Sequence, residues 1–147
     1  MKTIAALVFP GFETLDYFGP IEMLGGFGKE TEIVTVAKGH DPTPSVHGQR
    51  IVIDKSTAEK NDYDLLLIPG GDSALKLAGD EEMMQWIRDA SANAERVMAV
   101  CTGYSVAGHD RRSGWAKGDD QQTGLHRNSP TCAKCRLGQR GAMGRGR

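Results

Sequence analysis

Three apolar runs of this chain end in small or reactive side chains, and one of those side chains is a cysteine. Glu13 and Asp16 follow the run at 4–9, Gly70 and Gly71 follow the run at 65–68, and Cys101 follows the run at 97–100. A cysteine in a turn between a strand and a helix points outward and lies near a helix N-terminus, which favours the nucleophilic thiolate. Backbone N–H groups at Thr102 and around Gly71 would then stabilise an anion formed on an attacked carbon. A free cysteine is also common as a small buried hydrophobe, and the spacing leaves both interpretations open.

Two residues are candidates for the acid that such a cysteine needs. Asp16 stands in what we expect to be the first turn of a helix, where a carboxylate also interacts favourably with the helix dipole without any catalytic role. Glu13 either caps the same turn or is itself the site acid. The pair Gly70 and Gly71 is compatible with a tight turn alone. The residues alone leave both acids open.

The apolar patterns predict the elements that position these residues. Continuous apolar runs at 4–9, 33–37, 65–68 and 97–100 predict strands buried on both faces. Helical spacing predicts helices at 15–24 and 80–93, the second with Met83, Trp86, Ile87 and Ala90 on one face. The segment 46–54 predicts a short extra strand or a hairpin arm. Alternating strands and helices favour an α/β fold with a mostly parallel sheet sandwiched by helices, where reactive groups collect beyond the carboxyl ends of the strands.

The composition of the chain changes after Gly103. The first 103 residues contain 26 Val, Ile, Leu and Phe and carry a charge of about −7, whereas residues 104–147 contain three and carry about +6. A segment so poor in large apolar side chains cannot offset its ordering entropy by burial. The sequence therefore predicts a partial α/β domain at 1–103 and a disordered, basic, Gly-rich tail at 104–147.

Two features of the tail resemble binding sites, and we expect neither to be one. Cys132 and Cys135, with His126 upstream, have the spacing of half a zinc site, but a structural zinc needs four ligands. The basic run at 136–147 would attract phosphates without sequence preference. We therefore expect no metal, no cofactor and no specific nucleic-acid partner. The absence of an 18-residue apolar run and of a secretory pattern predicts a cytoplasmic protein with no membrane segment.

Three motifs, in order along the chain, resemble the ThiJ/PfpI superfamily of class I glutamine-amidotransferase-like proteins. They are Phe9-Pro10-Gly11-Phe12 with Leu15-Asp16 and Gly19-Pro20, then the segment 64–71, then the segment 100–103. The most similar branch includes isonitrile hydratases. The resemblance covers residues 1–103 and implies a flavodoxin-like sandwich with Cys101 as nucleophile, Asp16 as its acidic partner, and Gly71 and Thr102 lining the oxyanion position. Thr102 stands where other branches often have histidine, which favours a Cys-Asp pair working through water.

The resemblance predicts a cysteine-dependent enzyme that hydrates an isonitrile or a similar electrophilic carbon in a small molecule. The alternative is a noncatalytic ligand-binding or sensor domain of the kind fused to transcription regulators, although no helix-turn-helix region is visible. Intact relatives are expected to be homodimers. Because the expected last helices and strands are replaced by the tail, we expect this chain to be a truncated version with impaired activity.

The tail departs from the resemblance abruptly, and a shift of reading frame explains the departure. Read one base further on, the codons for residues 115–122 can encode Gly-Arg-Lys-Ala-Thr-Thr-Asn-Lys, which is similar to what relatives have at this point. The codons that leave few choices in the shifted frame support this explanation most, since the Lys117 codon can then give only Lys or Arg and the Gln121 codon only Asn or Ser.

Sequencing of the source transcript across the codons for Cys101 to Gly124 tests this hypothesis. We expect an extra or missing base whose correction restores a family-like sequence. A transcript that agrees with the frame as it stands would make the chain a truncated homologue instead.

Overall fold

The main sheet in the described part of this protein is parallel throughout. The structure is a computed structural model and describes residues 1–59 and 62–107. Its strands are β1 (Lys2–Leu7), β2 (Thr31–Ala37), β3 (Thr43–Pro44), β4 (Arg50–Ile51), β5 (Lys55–Ser56), β6 (Leu65–Ile68) and β7 (Arg96–Ala99). Five of them form one sheet in the order β5-β2-β1-β6-β7, with every neighbouring pair parallel. This sheet, flanked by helices, confirms the predicted α/β class.

Helices form the connections from β1 to β2 and from β6 to β7. They are α1 (Thr14–Gly25), α2 (Asp72–Leu77) and α3 (Glu81–Asn93), with short 3₁₀ helices at Gly28–Glu30 and Cys101–Ser105. The helices predicted at 15–24 and 80–93 match α1 and α3. Asp80 precedes α3 as its N-cap, and its carboxylate accepts the Met83 N–H at 3.2 Å. The pattern predicts no helix for α2, because six residues are too few to show a helical period.

The predicted helix face of α3 is buried, and the predicted hairpin arm is present. Met83, Trp86, Ile87 and Ala90 all lie in the core. β3 and β4 pair antiparallel in a small hairpin, while β5 joins the edge of the main sheet. Within the described ranges, no helix is long and apolar enough to cross a membrane.

β7 differs from the buried strand that its sequence predicts. Val97 and Met98 are only half-buried, and Ala99 is exposed. Among the described residues β7 has a neighbour on one side only, which is β6. The expectation of burial on both faces is therefore wrong for this strand, whereas it is right for β1 and β6.

The predicted division after Gly103 falls inside a structural element. The 3₁₀ helix runs from Cys101 to Ser105, and the side chain of Val106 is fully buried. The remaining part of the predicted tail, 108–147, lies outside the described residues. The considered zinc ligands, His126, Cys132 and Cys135, lie there too.

Tyr17 holds α1 against the sheet. Its ring is 3% exposed and packs on Phe12, and its hydroxyl shares a 2.7 Å hydrogen bond with the hydroxyl of Thr35 in β2. Burial raises the pKa of Tyr17, so the phenol stays neutral and available for this hydrogen bond. The position of α1, and with it of the neighbouring Asp16, is therefore set from the sheet.

Asp64 joins the amino-terminal ends of β1, β6 and β7. Its carboxylate accepts the backbone N–H of Thr3 at 2.7 Å, the Thr3 hydroxyl at 3.0 Å and the Lys2 ammonium at 2.9 Å. Its backbone oxygen accepts the N–H of Glu95 at 2.9 Å. Hydrogen bonds from the Thr3 N–H and from Lys2 lower the pKa of Asp64 to about 2.

Replacing Asp64 by asparagine should lower the free energy of unfolding at neutral pH but not in strong acid. A carboxyl whose pKa is depressed by folding stabilises the native state above its unfolded pKa of about 4. That contribution is lost as the pH falls through about 2. Urea unfolding of the wild type and Asp64→Asn between neutral pH and pH 2 measures it, with the exposed neighbour Asp62→Asn as control. A difference that stays constant down to pH 2 would contradict this explanation.

Candidate active site

The carboxyl ends of β1, β6 and β7 meet at one edge of the sheet. The Glu13 N–H donates to the Gly70 oxygen at 2.9 Å, which joins the loop after β1 to the loop after β6. The Val100 N–H donates to the Ile68 oxygen at 3.0 Å, which joins β6 to the turn that carries Cys101. Parallel strands bring their carboxyl ends to the same edge, and reactive groups collect there.

Cys101 lies in a strained turn between β7 and the 3₁₀ helix. Its φ is 51°, and it is the only non-glycine among the described residues with a positive φ. A side chain in this left-handed region costs on the order of 1 kcal/mol, which the surrounding contacts must supply. The residue is exposed, so the alternative of a small buried hydrophobe is wrong. The thiol is accessible to a reagent or substrate.

Asp16 and Cys101 both lie next to Gly70. The Gly70 N–H donates to Oδ2 of Asp16 at 3.1 Å. A Cβ placed on Gly70 would lie 2.8 Å from that same oxygen, 2.8 Å from the Thr102 nitrogen and 2.9 Å from the Cys101 Cβ. Because both atoms lie within 2.9 Å of the same point, Oδ2 of Asp16 and the Cβ of Cys101 are close neighbours.

The contacts of the two acids distinguish Asp16 from Glu13. Asp16 is half-buried, and its carboxylate accepts a hydrogen bond from the loop after β6. It therefore does more than interact with the dipole of its own helix. Glu13 is the N-cap residue of α1, but its side chain makes no capping hydrogen bond. Glu13 contacts the site through its backbone N–H, which donates a hydrogen bond to the Gly70 oxygen. Of the two acids, Asp16 is therefore the one whose carboxylate contacts the loop after β6 next to Cys101.

Thr102 and Gly71 are joined by two hydrogen bonds. The Gly71 N–H donates to the Thr102 hydroxyl oxygen at 2.9 Å, and the same hydroxyl donates to the Gly71 carbonyl at 3.0 Å. Gly71 has a φ of 120°, and a Cβ on it would lie 3.0 Å from the Gly11 oxygen, so only glycine fits without strain. The Gly71 N–H, expected to line an oxyanion position, is in this structure engaged by Thr102.

One residue near this edge was not singled out from the sequence. The β3–β4 hairpin lies against the loop after β1, since the Gly11 N–H binds the Pro44 oxygen and the Val46 N–H binds the Phe12 oxygen, each at 2.9 Å. His47 in this hairpin lies with its Nδ1 3.2 Å from the Thr14 hydroxyl. The predicted hairpin arm indicated a local structure only, and its place beside α1 depends on the tertiary fold.

The described residues contain neither a metal site nor a histidine paired with the thiol. No group of three or more His, Cys, Asp and Glu that could hold a metal occurs at 1–59 or 62–107. The histidines in these ranges have other recorded partners: His40 pairs with Glu59 at 2.8 Å, and His47 with Thr14. The chemistry available at this edge is that of a thiol, a carboxylate and backbone amides.

Comparison with known proteins identifies the family of this chain. The model of the DJ-1/PfpI family matches residues 2–111, which extends past the position where the resemblance was expected to stop. The chain belongs to the DJ-1/PfpI family. A crystal structure of a ThiJ/PfpI family protein from Pseudomonas syringae has a TM-score of 0.68 and 34% identity, covering 71% of this chain and 44% of that one.

Two curated relatives of this DJ-1/PfpI chain have names that mention a reaction. "Putative cysteine protease YraA" of Bacillus subtilis is 33% identical over 107 residues, which cover 71% of this chain and 63% of the relative. "Isonitrile hydratase" of Pseudomonas putida is 30% identical over 105 residues, which cover 71% of this chain and 46% of the relative. The chain thus spans less than two thirds of the length of either protein.

Replacing Gly70 by alanine should destabilise the fold and displace the reactive groups. The new Cβ would lie too close to Asp16, to the Cys101 Cβ and to the Thr102 backbone, and the backbone atoms cannot move aside easily. We expect a loss of about 1–3 kcal/mol in the free energy of unfolding, the usual cost of overpacking. Urea unfolding measures the stability, and the rate of iodoacetamide alkylation at Cys101 measures the displacement.

Gly39→Ala is the matched control, because a Cβ there meets no atom within 4 Å. Equal stability and equal alkylation rates for Gly70→Ala and Gly39→Ala would show that the close approach at Gly70 is unimportant.

Proposed function

We propose that this protein is a cysteine-dependent enzyme whose Cys101 thiolate adds to an electrophilic carbon, with hydration of an isonitrile as the reaction. The observation that supports it most is the exposed Cys101 in a strained turn, with the Asp16 carboxylate held against the same glycine, Gly70. Nucleophilic catalysis needs an accessible thiolate and an adjacent group that moves a proton. The named isonitrile hydratase of Pseudomonas putida supports the choice of substrate class.

The proposed reaction begins with formation of a carbon–sulfur bond. The Cys101 thiolate attacks the terminal isonitrile carbon, and a proton delivered through Asp16 converts the adduct to a thioimidate. Water, oriented and deprotonated by the Asp16 carboxylate, then adds to the same carbon. The carbon–sulfur bond breaks, the nitrogen is protonated, and an N-substituted formamide leaves while Cys101 is restored. One isonitrile and one water give one formamide, so no oxidant, reductant or cofactor is required.

The side chains around Cys101 favour hydration over peptide hydrolysis. A cysteine peptidase uses a histidine to activate the thiol and to protonate the leaving amine. Thr102 follows the cysteine here, and the two histidines of the described ranges pair with Glu59 and Thr14. Isonitrile hydration expels the Cys101 thiolate and keeps the nitrogen in the formamide, so no amine leaves and a carboxylate with water is sufficient for its proton transfers.

We also propose that the turnover of this chain is slower than that of the Pseudomonas putida enzyme. Cys101 and Ala99 are exposed, and β7 lacks a second neighbour in the described part of the sheet. Electrostatic stabilisation is weaker in an open, hydrated site than in one that excludes water.

Incubation of the full chain with cyclohexyl isonitrile, with the formamide measured by mass spectrometry, tests the proposal. We expect Cys101→Ser to abolish formamide production. Asp16→Asn should lower kcat about 10²-fold or more, because general acid–base groups contribute on this scale. Cys132→Ser is the matched control and should leave the rate unchanged.

Formamide production that survives in Cys101→Ser would overturn the nucleophile assignment. Absence of any turnover in the wild type, together with saturable binding of the isonitrile by calorimetry, would favour the noncatalytic ligand-binding alternative.

A further inference from the structure

We propose that the Thr102 hydroxyl is a positioning group that keeps Cys101 in its reactive backbone conformation by holding the Gly71 peptide groups from both sides. The inference deepens the proposed function and rests on it for the role of Cys101. It assigns the Thr102 side chain a task separate from the anion contact expected of the Thr102 backbone N–H, since the hydroxyl already binds two protein groups.

The hydrogen bonds of Thr102 make its hydroxyl a bridge between two loops. The oxygen accepts the Gly71 N–H at 2.9 Å, and its proton goes to the Gly71 carbonyl at 3.0 Å. A hydroxyl has one proton to donate and lone pairs to accept, so this single group binds both polar groups of Gly71, whose carbonyl also accepts the Ala74 N–H at 3.0 Å. Valine has the same shape without either capacity, and serine has the capacity without the methyl group.

The bridge connects two unusual backbone positions. Cys101 has a φ of 51° and Gly71 a φ of 120°, and Thr102 is covalently next to the first and hydrogen-bonded to the second. Strained conformations persist only where surrounding contacts over-determine them. The Gly103 N–H, which binds the Val100 oxygen at 2.9 Å, closes the turn on its own strand but does not tie it to the loop after β6. The Thr102 side chain provides that second tie.

The hydrogen bond between the Gly71 N–H and Thr102 also affects anion binding at the site. It makes the Gly71 N–H unavailable to a bound anion unless this hydrogen bond opens. Loss of the hydroxyl therefore has different effects under two interpretations of its role. If Thr102 positions Cys101, its loss slows reactions of the thiol. If Thr102 only blocks the Gly71 N–H, its loss leaves the thiol unchanged and strengthens anion binding.

Alkylation of Cys101 by iodoacetamide distinguishes these outcomes without any substrate. The full chain, as wild type, Thr102→Val, Thr102→Ser and the control Thr57→Val, is treated between pH 6 and pH 9. Modification at Cys101 is read from its own peptide by mass spectrometry. We expect Thr102→Val to react about tenfold more slowly at every pH, because relaxation of the turn removes the thiol from its exposed position. Thr102→Ser should stay within about threefold of the wild type, a smaller change because it retains the hydrogen-bonding group.

Equal alkylation of wild type and folded Thr102→Val, or equal slowing in Thr102→Ser, would overturn the proposal. If Thr102→Val does not fold, hydrogen exchange of the Gly71 amide in the wild type and Thr102→Ser decides, since we expect strong protection in both. Exchange as fast as that of an open amide would refute the bridge. An alkylation pattern as expected, with no formamide from any variant, would show that the proposed function is wrong and the positioning role is right.

Discussion

Close packing of three backbone segments at Gly70 is the constraint on which the candidate site depends. The loops that follow β1, β6 and β7 come so near each other that no Cβ fits at this position without contacting Asp16, Cys101 or Thr102. A side chain at position 70 would hold these segments apart. Because Gly70 has none, its N–H reaches the Asp16 carboxylate and its C=O accepts the Glu13 N–H.

This packing determines which side chains become neighbours. Asp16 comes from a helix after the first strand, and Cys101 comes from a turn after the last described strand, so they are far apart in the sequence. Both lie against Gly70. Asp16 accepts a hydrogen bond from its N–H, and the Cβ of Cys101 lies so close that a side chain at position 70 would not fit. The strained φ of Cys101 is sustained in this setting, where the turn is fixed at its strand, at Gly103 and through Thr102.

At the opposite end of the sheet, the amino-terminal ends of the strands are held together by an ion pair and hydrogen bonds. Asp64 binds Thr3 and Lys2 in β1 and the backbone of Glu95 before β7, so it holds the amino-terminal ends of β1, β6 and β7 together. Tyr17 fixes α1 on β2 from the side. Parallel strands bring their carboxyl ends to the same end of the sheet, which is why the loops there can meet at Gly70.

Much of the fold could be predicted from the chain alone, since apolar periodicity reports burial. The runs at 4–9 and 65–68 and the buried face of α3 were recognisable because each is a local pattern imposed by a regular element. α2 was not recognisable, because six residues show no period. β7 was predicted as a buried strand, but the exposure of a strand depends on its neighbours and not on its own residues.

The sequence by itself determined the fold class, because apolar period is a local property, and with the family resemblance it predicted the candidate site residues Cys101, Asp16, Thr102 and Gly71. Only the tertiary structure decided that Cys101 is exposed, that Asp16 and not Glu13 directs its carboxylate to Gly70, and that the Thr102 hydroxyl engages the Gly71 N–H. These facts concern distances between segments remote in the chain. They follow from how the parallel strands place their ends, which no single segment encodes.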